Sequence, residues 1–271
     1  MKHYKLNPIA AVILLTVSYA SAVAQCSNST ASGTYRYVWT GFGSFGAGGE
    51  HTLRPNGPFT PFAAVGLSTF NGDGTSSNID TVNLAGGFFN RNFTNTYQIG
   101  SNCHGTVTAQ GATEPTAHIV VAPDGNEIIF INSITGVVIS GVYRRQGAGQ
   151  CGNATTSGAY RYLWTGYGSF GAGGQHTFRT NGSFTPFAAV GQAIFDGAGA
   201  ELNTDTLQLA GGVFQRTFAN THNVGSDCRG TVRRQGDLEP TANVVVAPDG
   251  SEIFYIATIP GAVVSGTYKR Q

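Results

Sequence analysis

The chain has 271 residues, enough for one large domain or two of ordinary size, and only 11% of them are charged, with a formal net charge of +1. The sequence has no run of like charge and no basic surplus, which argues against a nucleic-acid-binding protein. The 39 glycines, together with few Leu, Lys and Glu, favour strands and turns over helices.

The first 24 residues have the pattern of a secretory signal peptide. Lys2 and Lys5 supply the positive end, residues 8–17 form an apolar stretch, and small residues precede a cleavage site near Ala24. The apolar stretch is too short to span a bilayer, and no longer one follows it. The sequence therefore predicts an exported protein, periplasmic or extracellular, without a membrane span.

The rest of the chain is a tandem duplication. Residues 26–146 align without a gap on residues 151–271, and roughly 75 of about 121 aligned positions are identical. Each repeat has the length of a complete domain, and residues 147–150 form a short, Gly-rich joint of the flexible type. The sequence predicts two similar domains that fold independently.

The four cysteines lie at matching places in the two repeats. The interval from Cys26 to Cys103 equals that from Cys151 to Cys228, and none of the four belongs to a C-x-x-C motif, so no metal site is predicted. Export permits disulfides, and four cysteines allow three pairings. A domain that is duplicated whole brings its own bridge, which favours Cys26–Cys103 and Cys151–Cys228 over the crossed pairings.

Each repeat alternates polar and apolar residues with the period of a strand. Residues 33–40 place three aromatic side chains on one face, and a Pro-Asp-Gly turn divides residues 118–131 into two β-rich runs. The same reasoning predicts strands at residues 63–70, 79–85, 88–93, 103–109 and 137–144. Seven or eight short strands in about 120 residues indicate an all-β fold, a closed antiparallel barrel or a sandwich in each repeat.

A glycine-rich stretch, GFGSFGAGG at residues 41–49, returns as GYGSFGAGG at residues 166–174. Its first glycines satisfy G-x-G-x-x-G, but a dinucleotide loop must open a helix, and this stretch leads into a segment crowded with Gly and Pro. No cofactor is therefore predicted. We expect a long loop between strands, with four phenylalanines folded back as a lid or plug over one barrel end: Phe42, Phe45, Phe59 and Phe62.

Three short stretches of each repeat carry a family resemblance. In the second repeat they are FDG at residues 195–197, NVGSDCRGT at residues 223–231 and SGTYKRQ at residues 265–271. They resemble a G-x-x-x-F-D-G-x-G turn, a Y-x-V-x-x-D-C-x-G-T strand and an S-G-x-x-x-R-Q end found in small, exported, largely uncharacterised bacterial β-barrel proteins. The first repeat departs at Asn71 and Asn102, where the pattern has Asp, and the second at His222, where it has Tyr. The resemblance implies calycin-like or allene-oxide-cyclase-like barrels, but no settled activity and no catalytic residue.

We predict a binding module that holds a small, mainly apolar ligand inside each barrel, without catalysis. The candidate pocket residues are Tyr35, Tyr37, Trp39, His51 and Arg91 in the first repeat, and Tyr160, Tyr162, Trp164, His176 and Arg216 in the second. The same rings are also compatible with a barrel that is filled solid.

Two alternatives to a binding module stay open. One is an isomerase- or cyclase-type enzyme that uses His51 or His176 with Arg91 or Arg216 as an acid–base set in the barrel cavity. The other is a structural or adhesive envelope protein, which low charge and tandem duplication favour. The sequence identifies no partner protein.

Overall fold

The structure is a computed structural model that describes residues 25–46, 49–53, 57–171, 174–178, 183–239 and 241–271. The predicted signal peptide lies outside the described residues. In the first repeat the strands are β1 (Gly33–Gly43), β2 (Phe45–Gly46), β3 (Gly49–Leu53), β4 (Thr60–Phe70), β5 (Thr75–Leu84), β6 (Gly87–Ile99), β7 (His104–Ala109), β8 (Ala117–Val121), β9 (Glu127–Asn132) and β10 (Val137–Arg145). In the second repeat they are β11 (Gly158–Gly168), β12 (Phe170–Gly171), β13 (Gly174–Phe178), β14 (Thr185–Phe195), β15 (Ala200–Leu209), β16 (Gly212–Val224), β17 (Arg229–Arg234), β18 (Ala242–Val246), β19 (Glu252–Ala257) and β20 (Ala262–Arg270).

Each repeat closes an antiparallel barrel of eight strands. In the first barrel, β4 to β9 each pair with the next strand along the chain, and β1 closes the ring by pairing with both β4 and β10. The second barrel repeats this order with β11 and β14 to β20. The predicted fold class, two tandem antiparallel barrels, is confirmed. The short hairpins β2–β3 and β12–β13 lie outside the barrel walls and were not predicted, because the glycine-rich stretch has no apolar alternation.

The barrel interior is shaped by large residues opposite very small ones. Tyr37 on β1 faces Gly66 on β4, and Trp39 faces Gly141 on β10. A Cβ atom added at Gly141 would lie 2.5 Å from Cδ1 of Trp39, which is closer than real Cβ contacts come. The aromatic rings of β1 therefore lean over neighbouring strands at positions where only glycine leaves room.

One end of each barrel, which we call the closed end, is sealed by the chain that enters it. Cys26 is bonded to Cys103 and Cys151 to Cys228, the pairing that the duplication predicts, with Cα–Cα distances of 4.9 and 4.8 Å. The bridge holds the 3-10 helix Asn28–Ala31 under the first barrel, and Ala31 is fully buried there. The equivalent helix under the second barrel is Asn153–Thr156.

The two barrels pack against each other. The outer side of β1, β4 and β5 lies on the outer side of β18, β19 and β20. The apolar residues buried between them are Ala63, Val65, Val245, Phe254, Ile256 and Val263. Nη2 of Arg36 donates to Oε2 of Glu252 at 2.8 Å, and both side chains are almost completely buried.

Sequence reasoning did not predict this interface between the two barrels. The sequence reasoning placed apolar residues on one face of each strand only, whereas β4 is buried on both faces because the second barrel covers its outer side. Independent folding of the two repeats stays a prediction. In the described part of the chain, no helix is long and apolar enough to cross a membrane.

Candidate functional site

Each barrel contains a cavity in the half that lies away from the disulfide. The cavity measures about 600 Å³ in the first barrel and about 360 Å³ in the second. Seven strands of the first barrel contribute to its wall, which includes Trp39, Phe62, Arg91, Phe93, Val107, Ala109, Ala117, Phe130, Asn132 and Ile139. The aromatic rings therefore do not fill the barrels solid.

The entrance to each cavity follows from unequal strand lengths. Strand β6 pairs with β7 only over residues 95–99, so within the described chain residues 87–94 have strand partners on the β5 side alone. Side chains of residues 90–95 border the cavity regardless of which face of β6 they occupy. In the second barrel, β16 overhangs β17 in the same way, since it pairs with β17 only over residues 220–224.

An aromatic stack forms the floor of each cavity. The Trp39 ring lies between Phe130, with centroids 4.7 Å apart and planes 10° from parallel, and Tyr37, at 4.5 Å. In the second barrel, Trp164 lies between Tyr255 at 4.7 Å and Tyr162 at 4.4 Å. In each stack, the tryptophan and its partner on β9 or β19 border the cavity.

A buried ion pair stands beside the stack in the first barrel. Asp80 and Arg91 are direct cross-strand neighbours on β5 and β6. Oδ1 of Asp80 accepts from Nε of Arg91 at 2.9 Å, and Oδ2 accepts from Nη2 of Arg91 and from the Tyr37 hydroxyl at 2.8 Å. Burial, and then the Asp80 charge, raise the pKa of Tyr37 well above its ordinary value, so the hydroxyl stays a donor.

The second barrel repeats this ion pair. Nε of Arg216 donates to Oδ1 of Asp205 at 2.8 Å, and the Tyr162 hydroxyl donates to Oδ2 at 3.0 Å. Both oxygens of each carboxylate are therefore occupied by donors from the protein. This arrangement orients the arginine on the cavity wall and does not leave the carboxylate accessible as a general base.

Two buried side chains of the second barrel, a carboxyl and an imidazole, have no acidic or imidazole counterpart in the first. Glu201 lies at the position of Ser76 and His222 at that of Tyr97. Burial raises the pKa of Glu201 to about 7, and the Tyr268 hydroxyl lies 3.4 Å from its Oε1. Burial lowers the pKa of His222, whose Nε2 lies 3.0 Å from Oγ1 of Thr156. Sequence reasoning missed both, because a lone acid or histidine in an alternating strand is more often a surface residue.

The predicted pocket residues divide into two groups. Trp39, Arg91, Trp164 and Arg216 border the cavities. The four tyrosines are absent from the cavity walls: Tyr37 and Tyr162 lie within the stacks, and Tyr35 and Tyr160 lie nearer the closed end. The hydroxyls of Tyr35 and Tyr160 donate to the carbonyls of Gly125 and Gly250, both at 2.6 Å, and are absent from the cavity walls.

The two histidines cannot be placed at either cavity. His51 and His176 lie on β3 and β13, whose side chains are outside the described residues. Within the described ranges, no three His, Cys, Asp or Glu side chains come together in a way that suits a metal ion.

The predicted lid of four phenylalanines is wrong for three of them. Phe42 points outward from β1 and meets Tyr167 of the other barrel, with ring centroids 4.9 Å apart. Phe62 points inward from β4 and belongs to the cavity wall, while Phe59 is exposed. The reason is that β1 and β4 extend into the supposed loop, so strand alternation decides where these rings point. The side chain of Phe45 is outside the described residues.

Comparison with known proteins gives little beyond this geometry. No protein family matches the chain, and no curated protein matches it. Among solved structures, it is similar to the isotype 1 transferrin binding protein B from serogroup B Neisseria meningitidis, at 11% identity and a TM-score of 0.24, over 89% of this chain and 77% of that one. With so low a TM-score, the fold assignment rests on this chain's own strand pairing.

Proposed function

We propose that the protein is an exported, non-catalytic binding module that holds one small ligand in each barrel. The observation that carries this proposal is the cavity beside an aromatic stack, repeated in both barrels. Eight-stranded up-and-down barrels, such as the calycin-like barrels that the sequence resembles, are wide enough to enclose one small ligand. The two disulfides support export, because such bridges persist in oxidising compartments.

The chemistry of the wall favours an amphiphilic ligand with a flat apolar body. Phe130 offers apolar ring surface and Trp39 offers a ring edge, because both faces of Trp39 are covered by Phe130 and Tyr37. Asn92, Asn95 and Gln110 offer amide groups on the entrance side. Among the described residues of the first wall, Arg91 is the only charged one, and Asp80 neutralises it, so an uncharged ligand suits this cavity.

The second cavity favours a slightly different ligand. Arg234 stands on its wall where the first barrel has Ala109, and Arg216 is neutralised by Asp205 as in the first barrel. An acidic or strongly accepting group on the ligand would meet the Arg234 guanidinium on this wall.

Among the described wall residues, no carboxylate or imidazole is free to act as a base, which favours binding over catalysis. The carboxylates of Asp80 and Asp205 are each held by an arginine and a tyrosine hydroxyl. The enzyme alternative depends on His51 or His176, and no observation brings either to a cavity.

The two tryptophans allow each cavity to be tested separately. They are the only ones in the chain, and each borders one cavity. We would titrate Trp39→Phe and Trp164→Phe chains with N-phenylnaphthylamine, an uncharged aromatic amine that accepts energy from indole. Saturable quenching of the remaining tryptophan in both variants is the expected result.

A matched substitution separates the cavities from the apolar outer surface. Ala109→Arg gives the first cavity the arginine that the second has in Arg234, and it should weaken binding reported by Trp39 by about tenfold. Binding reported by Trp164 should not change. Leu238→Ala, at an exposed loop, is the control. The proposal fails if neither indole responds, or if Ala109→Arg leaves the Trp39 response unchanged.

A further inference from the structure

The contact between the barrels joins two different faces of the same fold. We name the outer side of β1, β4 and β5, or of β11, β14 and β15, face A. We name the outer side of β8, β9 and β10, or of β18, β19 and β20, face B. Within the chain, face A of the first barrel is bound to face B of the second. Because the barrels are duplicates, each chain also has a face A on its second barrel and a face B on its first barrel that this contact does not use.

The unused face B is apolar and open to solvent. In the second barrel, Val245, Phe254, Ile256 and Val263 form the bound face and are at most 2% exposed. Their counterparts in the first barrel are Val120, Ile129, Ile131 and Val138, which are between 42% and 63% exposed. All four positions carry large apolar side chains, although no residue that the structure describes covers them.

The unused face A has the same character. Val38 and Val65 are directly paired on the bound face, and their counterparts Leu163 and Val190 are directly paired on the free one. Leu163 and Val190 are 52% and 57% exposed. Ile194 and Leu202, a further cross-strand pair, extend this apolar surface.

The polar contacts of the bound faces also have counterparts on the free ones. The buried pair Arg36–Glu252 corresponds to Arg161 on free face A and Glu127 on free face B. Nε2 of Gln146 donates to the Val246 carbonyl at 2.8 Å, and Gln271 is its counterpart. The N–H of Gly261 donates to the Gly86 carbonyl at 3.0 Å, and glycines again stand at both corresponding positions.

Three differences make the free pair of faces weaker than the bound pair. Leu67 becomes Gln192, and the buried Asn83, which donates to two carbonyls of the second barrel, becomes the longer Gln208. On the other side Asn243 corresponds to His118. A contact between chains also lacks the covalent joint, which gives the internal contact a high effective concentration.

We propose that the free face A of one chain binds the free face B of a second copy, in the geometry that already joins the two barrels. Because this contact joins unlike faces, a pair of chains still has one free face A and one free face B. These faces can bind further copies. Association of this type gives rings when the rotation closes and open assemblies when it does not, but no dimer in which a face binds a second copy of the same face. The inference is independent of the ligand, since the apolar residues of the two free faces do not belong to the walls of the two barrel cavities.

Sedimentation velocity over a range of concentrations tests this proposal with two variants. The face A variant is Leu163→Glu with Val190→Glu, and the face B variant is Ile129→Glu with Val138→Glu. All four side chains are exposed, so the barrels should fold, and near-ultraviolet circular dichroism of the aromatic stacks checks that they do. Leu238→Glu, on a loop outside both faces, is the matched control.

The expected results differ between separate and mixed samples. The mean mass of the wild-type chain and of the control should rise steadily with concentration, whereas each face variant alone should stay monomeric. An equimolar mixture of the two variants should form a complex of two chains and nothing larger, because one intact A face meets one intact B face. A wild-type chain that is monomeric at every concentration, a symmetric dimer that both variants retain, or a mixture that stays monomeric would overturn the proposal.

Discussion

The buried carboxyl of Glu201 should make the stability of the second barrel depend on pH. The side chain points into the barrel from β15 and is 3% exposed, and burial raises its pKa from 4.5 to about 7. Below pH 4.5 the carboxyl is protonated in both the folded and the unfolded chain. As the pH rises from there, the unfolded chain ionises first, so the free energy of unfolding falls until the folded chain also ionises near pH 7.

The size of this effect follows from the two pKa values. The difference between 4.5 and about 7 corresponds to a loss of about 3 kcal/mol in the free energy of unfolding. His222 has the opposite effect on stability. Burial lowers its pKa, so the free energy of unfolding falls as the pH falls. The wild-type profile therefore contains both effects, and only a difference between variants isolates Glu201.

Glu201→Gln removes the ionisation while keeping the size of the side chain. We would measure urea unfolding at pH 5 and pH 8 in a Trp39→Phe background, so that Trp164 reports the second barrel alone. Going from pH 5 to pH 8, the stability of the parent chain should fall by about 2–3 kcal/mol relative to the Gln variant. Two stability profiles that run parallel between these pH values would refute this account of the site.

Two further predictions concern the framework. Replacing both Cys26 and Cys103 by Ser should lower the free energy of unfolding of the first barrel by about 4 kcal/mol, because the bridge closes a loop of 77 residues. Denaturant unfolding measures this loss, and a peptide map that shows crossed pairing would overturn the disulfide assignment. Gly141→Ala should cost about 1–3 kcal/mol because the new methyl group meets the Val38 carbonyl oxygen and the Trp39 indole. Gly147→Ala, with nothing within 4 Å, should be neutral, and equal melting temperatures for the two variants would contradict this account of the barrel interior.

The sequence was most informative where a signal repeats. Strand alternation and the duplication together predict two barrels and their disulfides. A period of two indicates a β-strand, and a matched cysteine interval indicates a disulfide within each repeat. Boundaries were less accurate: the predicted strand at residues 88–93 is part of Gly87–Ile99. The part of β6 that extends beyond β7 creates the cavity entrance, and nothing in the sequence of β6 marks where β7 ends.

The residues that sequence reasoning missed or misjudged depend on register and on contacts between the barrels. The inward face of β15 carries Glu201, Asn203 and Asp205, a polar row that looks like an outward face until the pairing is known. Asp80 and Arg91 become partners only once β5 and β6 are aligned. The outer face of β4 could have been suspected from the sequence, since residues 61–65 are apolar without alternation.

A crystal structure of the protein soaked with N-phenylnaphthylamine tests the central claim most directly, because it distinguishes the cavities from the apolar faces A and B. Electron density for the amine beside Trp39, inside the first barrel, and beside Trp164, inside the second, is the result that ligand binding in the barrels requires. Cavities closed by protein side chains, or amine bound only on the outer faces, would contradict it.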